Sequence, residues 1–204
     1  MRATGAVCIA DEVQVGFGRL GTNFWGFETQ GVVPDIVVLG KPLGNAFPLA
    51  AVVTTKEIAD SFSNGMEFFS TFGGNPVACA AGLAVLDVLE KEKLQESALR
   101  VGAHLKSRLQ ELQQRHALIG DVRGSGLFLG VDLVRDRSSR EPAPLQAHSV
   151  VNRLRNCSIL TGTDGPYRNV IKLRPPLVFT EADAGLFVDT LDSILSEDAA
   201  QPNH

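Results

Sequence analysis

Three short apolar runs near the start of the chain restrict its fold more than any other feature. They are Ala6-Val7-Cys8-Ile9-Ala10, which runs into Asp11, then Asp35 to Leu39, then Leu49 to Thr54. Each run is continuous rather than alternating, so each reads as a strand buried on both faces. Helical stretches follow them. Thr55 opens a short helix with Glu57 in its first turn, and Asn75-Pro76 caps and starts another that runs to about Lys91. Residues 93–115 form a long amphipathic helix with Leu94, Ala98, Val101, Leu105 and Leu112 on one face. Buried strands alternating with helices predict an α/β fold with a parallel sheet.

The texture changes after His116. Ile119–Val122 and Leu127–Val134 read as strands broken by Gly124 and Gly126. A polar loop with Pro142 and Pro144 follows, then a helix over 145–156, strands at 158–161 and 170–173, and a closing helix over 181–195. This second part reads as a smaller α+β unit, giving domains at 1–116 and 117–204, with a frayed tail from Asp198 to His204. A sheet of about three strands would leave raw edges, which predicts that the chain is the C-terminal half of a longer protein.

Several function classes drop out. A net charge of −4 offers no basic footprint for nucleic acid and no polybasic attraction to a membrane. The longest apolar stretch, Pro76 to Leu89, is interrupted by Asp87 and reads as a buried globular helix. Residues 1–10 lack the pattern of a signal peptide. Cys8, Cys79 and Cys157 are odd in number and widely spaced, so they read as reduced thiols of an intracellular protein, cytoplasmic or mitochondrial, with no zinc site. The four histidines show no ligand spacing, and His104 and His116 read as solvated.

Chemistry concentrates at two strand ends. Asp11 closes the first apolar run and Lys41 follows the second, where open α/β sheets place ligands. A lone lysine within "PDIVVLGKPLGNAFPLAAV" is costly to bury unless something there uses it. A carboxylate and a lysine at neighbouring strand ends suit an enzyme that holds a cationic heterocycle and an amine-reactive carbonyl. Pyridoxal phosphate needs both: a lysine for the Schiff base, and a carboxylate that keeps the ring nitrogen protonated.

Four ordered stretches carry a family resemblance: "ADEVQVGFGRLG" (10–21), "PDIVVLGKPLGNAFPLAAV" (34–52), "STFGGNPVACAAGLAVL" (70–86) and "GDVRGSGLFLGVDL" (120–133). Together they resemble the class III, or ornithine/ω-type, aminotransferases. The spacing agrees, since 41 − 11 = 30 and 71 − 41 = 30. The resemblance implies the fold type I architecture of pyridoxal 5'-phosphate enzymes. It implies that Asp11 pairs with the pyridine nitrogen, Val13 packs on the ring, Gln14 reaches the ring hydroxyl and Lys41 forms the internal aldimine and shuttles protons. Thr71 is implied to bind the cofactor phosphate of a neighbouring subunit, so the active unit would be a homodimer. The loop around Thr71 also leaves the backbone N–H groups of Gly73 and Gly74 available.

Two departures from the family pattern matter. The family's N-terminal half, with its Gly-Ser phosphate turn and stacking aromatic, has no counterpart here; Phe24 and Trp25 read as packing or entrance residues. The family's carboxylate-binding arginine, counted back from Pro175-Pro176, corresponds to Lys172, a point charge rather than a fork. Arg174 would share its strand face. "TDGPYRNVIKLRPPLVF" resembles the branch of phospho-lyases acting on phosphoethanolamine or phosphohydroxylysine, with Arg168 a candidate phosphate ligand. The expected function is a pyridoxal-phosphate enzyme acting on a primary amine, transaminase-like with a tilt to phosphate elimination. The alternative is a truncated, non-catalytic chain or a dimerisation subunit.

Overall fold

A computed structural model describes residues 2–200. The chain forms two compact units that part at Gln95/Glu96. In the first unit, strands β1 (Ile9–Asp11), β2 (Ile36–Leu39) and β3 (Ala51–Thr54) form one sheet in that order. Strand β1 runs parallel to β2, pairing Ile9 with Ile36 and Asp11 with Val38. Strand β3 is antiparallel to β2, so the sheet is not wholly parallel as the sequence predicts. A parallel return needs a crossover of about a dozen residues or more, usually helical. Residues 40–50 hold only a 3-10 turn, Lys41–Leu43.

Strand β1 is also shorter than predicted. The Asp35 side chain accepts the Cys8 N–H at 2.7 Å, and Cys8 O accepts from Asp35 and Ile36, so ladder pairing begins after Cys8. Helices α1 (Lys56–Phe62) and α2 (Pro76–Lys91) start where their caps predict. Thr55 Oγ1 accepts from Ile58 N, and Asn75 Oδ1 accepts from Ala78 N at 2.9 Å. Helix α2 is not the buried helix predicted: Ala78 and Gly82 are buried, whereas Val77 and Leu83 face solvent.

The second unit closes on itself. Helix α3 (Leu94–Arg115) begins at the boundary, and strands β4 (Ile119–Ser125) and β5 (Phe128–Asp136) form a hairpin. Strand β6 (Glu141–Pro142), helix α4 (Pro144–Asn156), strands β7 (Gly162–Asp164) and β8 (Val170–Leu173) and helix α5 (Glu181–Ala200) complete it. The antiparallel sheet runs β4-β5-β8-β7, with β6 on β5. The two glycines predicted to break strands make the hairpin instead. A Cβ on Gly124 (φ +121°) would lie 2.1 Å from Phe128 O, and one on Gly102 of α3 would lie 2.3 Å from Gly126. The strand predicted at 158–161 forms later, at 162–164, because Ser158 (φ +63°) turns back and donates its N–H to Arg155 O to end α4.

The core of this unit joins Leu105, Leu109 and Leu112 of α3 to Ile119, Val131 and Leu133 of the sheet, Val150 and Leu154 of α4, and Val188 and Leu191 of α5. Fully burying each such side chain is worth roughly 1.5–3 kcal/mol. The face predicted for α3 is the buried one. His116 is not solvated as predicted: its side chain is 10% exposed and its ring bonds Asp192 at 2.5 Å. The tail predicted from Asp198 is helical backbone through Ala200, and residues 201–204 lie outside the described residues. Among the described residues no helix is long and apolar enough to cross a membrane, and no disulfide is formed by the three cysteines.

Candidate active site

The parallel pair β1/β2 places Asp11 and Lys41 at the same edge of the first sheet. Asp11 lies opposite Val38, and the next residue, Glu12, donates its N–H to Val38 O at 3.0 Å. Asp11 Oδ1 accepts the Val13 N–H at 3.0 Å, fixing a tight turn after the strand. Val13 overlies the end of β2, since a Cβ built on Gly40 would sit 3.5 Å from both its methyl groups. Lys41 follows with a φ of +20° and begins the turn closed by Leu43 N to Gly40 O, 2.8 Å.

Asp11, Gln14 and Lys41 are all exposed. The sequence predicts a buried lysine, and the structure corrects that: Leu39 and Gly40 at the end of β2 are buried, but Lys41 is exposed. No hydrogen bond or ion pair engages the Lys41 ammonium or the Gln14 amide among the described residues. A carboxylate and an amine at adjacent strand ends, with the Val13 methyl groups over Gly40, have the donor set that a pyridoxal ring needs. The residues present fit that cofactor.

Thr71 is exposed in the loop before α2. Its neighbourhood differs from expectation in one respect. The Gly73 N–H is not free, because it donates to Ser70 Oγ at 3.0 Å. Gly74 takes a left-handed φ of +69°, and Asn75 closes the turn onto Phe72 O. No hydrogen bond joins Thr71 to Asp11 or Lys41 among the described residues.

In the second unit, Lys172 and Arg174 share a pocket of about 610 Å³ with Leu105, Ser158, Thr161 and Asp183. Their side chains are not equivalent. Arg174 donates from Nη1 to Asp164 at 3.1 Å and stacks its guanidinium 4.3 Å over Phe128, and its Nε is buried without a partner. The Gly165 N–H, and then Arg174, hold the Asp164 carboxyl below its usual range. Lys172 stands between Gly130 and Gly162 on the neighbouring strands, so no side chain flanks it across the sheet. Arg168 is exposed in the turn closed by its own N–H to Gly165 O and does not line the pocket.

Sequence reasoning missed Glu12. It is 2% exposed, and its carboxylate accepts the N–H groups of Gly26 at 2.7 Å and Phe27 at 2.8 Å. The available signal was an acidic residue directly after a strand, followed by glycines at 16 and 18. Phe24 and Trp25 pack as expected, meeting edge to face at 4.8 Å, with the buried Phe17 against both.

The profile of the family described as "Aminotransferase class-III" matches residues 1–195, nearly the whole chain. The chain belongs to the class III aminotransferases. This class III chain is 52% identical over 190 residues to an alanine–glyoxylate aminotransferase 2-like protein of Drosophila melanogaster, covering 92% of the chain and 38% of that relative. Among solved structures, it superposes with a TM-score of 0.91 on a phospholyase from Arthrobacter in complex with phosphoethanolamine, at 43% identity, covering 98% of the chain and 47% of that structure. It also matches an amine transaminase from an uncultivated Pseudomonas species in the PLP-bound form, at 39% identity and a TM-score of 0.86, covering 96% and 46%. The fold is that of the fold type I transferases, and the chain spans less than half the length of each of these proteins.

Proposed function

We propose that the chain carries the lysine-bearing side of a pyridoxal 5'-phosphate site that acts on a primary amine. The observation that carries this reading is the placement of Asp11 and Lys41 at the ends of adjacent parallel strands, with Val13 over Gly40. When bound, the cofactor supplies an aldehyde that condenses with amines and a protonated ring that accepts an electron pair. Asp11 keeps the proton on the ring nitrogen, with Oδ1 held by Val13 N–H and Oδ2 left for the ring. Val13 presses its methyl groups on the ring face and Gln14 reaches the ring hydroxyl. Lys41 Nζ holds the cofactor at rest and moves the proton from the carbon beside the substrate nitrogen.

Thr71 holds the phosphate of a second copy's cofactor, making the active unit a homodimer. The exposed Phe68, Phe69 and Phe72 beside it support a face covered by another chain. Residues 1–116 belong to the cofactor-binding large domain of the family and 117–204 to its small domain, although the apolar face of α3 packs within the second compact unit.

The substrate reading tilts to phosphoamines. Arg174 is committed to Asp164 and Phe128, so no guanidinium fork in the pocket is open for an α-carboxylate. Lys172 offers a point charge, which suits a phosphate, and Arg168 is a second, outer candidate. Product analysis tests this. Inorganic phosphate released from phosphoethanolamine without a keto-acid acceptor supports elimination, and acceptor-dependent amino transfer without phosphate release overturns it. The alternative is a truncated, non-catalytic chain or a dimerisation subunit, favoured by the exposure of Asp11, Gln14 and Lys41.

A further inference from the structure

Glu12 is the one buried charged side chain among the described residues, and it has no cationic partner. A carboxylate so placed is costly unless strong hydrogen bonds replace its water. Both oxygens are satisfied by backbone: Oε2 by Gly26 N–H and Oε1 by Phe27 N–H, at the start of the 3-10 turn Gly26–Gln30. The surroundings are shaped to it. A Cβ on Gly16 or Gly26 would come within 3.2 Å of the carboxylate oxygens.

A residue that only stapled the aromatic loop could sit anywhere along it. Glu12 instead lies between Asp11 and Val13. Its own N–H is fixed to Val38 O, and the peptide that follows sends the Val13 N–H to Asp11 Oδ1. The turn that aims Asp11 is therefore held from three sides: by the β2 ladder, by the Asp11–Val13 bond and by the Glu12 side chain.

We propose that Glu12 is a positioning residue: its buried carboxylate locks the turn Asp11–Val13 to the aromatic loop and so orients the Asp11 carboxylate. This rests on the reading that Asp11 serves the cofactor ring. Glu12→Gln is nearly isosteric but presents one acceptor oxygen, and its NH2 meets a backbone N–H, donor against donor.

The test is amide hydrogen exchange of the full chain, followed by NMR without cofactor. Exchange at Gly26, Phe27 and Val13 is expected to rise together in Glu12→Gln, by about fivefold or more. The β5–β8 ladder of the second unit is the unchanged reference. Faster exchange at Gly26 and Phe27 with Val13 unaltered reduces Glu12 to a loop staple and overturns the proposal. If Glu12→Gln also melts the β1–β2 ladder, Glu12→Asp, which keeps the charge one methylene back, is read at the same three amides with the same criteria. With cofactor added, Glu12→Gln is expected to weaken capture about tenfold while Lys41 stays the attachment point. Unaltered capture in Glu12→Gln overturns the proposal. Coupled exchange in a chain that captures no cofactor at all supports the positioning and overturns the cofactor reading.

Discussion

The second unit buries most of its large apolar side chains in one core, and the first unit leaves many of its own exposed. In the second, α3, α4 and α5 cover one face of an antiparallel sheet, and Leu109, Leu112 and Leu191 are wholly buried. In the first, Val52 and Val53 are adjacent on β3 and so point to opposite faces of the sheet, yet they are 65% and 55% exposed. Phe62, Met66, Phe68, Phe69 and Phe72 add a run of exposed large side chains. Strand β3, which reads as buried on both faces, is thus uncovered on both. The second unit is organised by its own core, whereas the first unit is held by strand pairing and by the bonds that Asp11 and Glu12 make.

This difference between the units has consequences for stability and accessibility. Leu109→Ala leaves a cavity in a closed core and is expected to lower the stability of the second unit by about 2–5 kcal/mol in denaturant titration. A loss under ~0.5 kcal/mol would break the claim that this core is closed. Limited proteolysis is expected to cut residues 62–74 at least roughly tenfold faster than the strands β5 and β8, because that loop is exposed throughout.

Asp192→Asn is expected to cost about 1 kcal/mol at neutral pH. Its carboxyl is held below the usual range first by His116 and then by Arg115, which donates at 2.6 Å. A depressed folded value stabilises above the ordinary carboxylate range, and that stabilisation fades as pH falls through the folded value. The gap between Asp192→Asn and the unaltered chain should therefore close on acidification. Smallest of all, Val52→Ala is expected to change the stability of the isolated chain by no more than ~0.5 kcal/mol. A loss near 2 kcal/mol would mean that the first sheet is covered after all.

The sequence made the helices legible because caps and periodicity are local. Asn75, Thr55 and the apolar face of α3 appear where they are expected. The direction of β3 was not legible, since it depends on the length of the connection rather than on the strand itself. The shift of β7 was hidden by the left-handed Ser158, which no apolar pattern reveals. At the candidate site, the positions of Asp11 and Lys41 at neighbouring strand ends were readable from the apolar runs that precede them. Glu12 was not, because its partners are backbone amides some 14 and 15 residues away. The difference between Lys172 and Arg174 was likewise invisible, as it is set by Phe128 and Asp164 on neighbouring strands.

The central claim is that Lys41, at an open strand end beside Asp11, is the residue that holds pyridoxal phosphate. Borohydride reduction of the chain mixed with the cofactor, followed by peptide mapping, tests it most directly. Label is expected to concentrate on Lys41, to be lost in Lys41→Ala and to weaken in Asp11→Ala. Label spread evenly over Lys56, Lys91, Lys106 and Lys172, unchanged in Lys41→Ala, would contradict it.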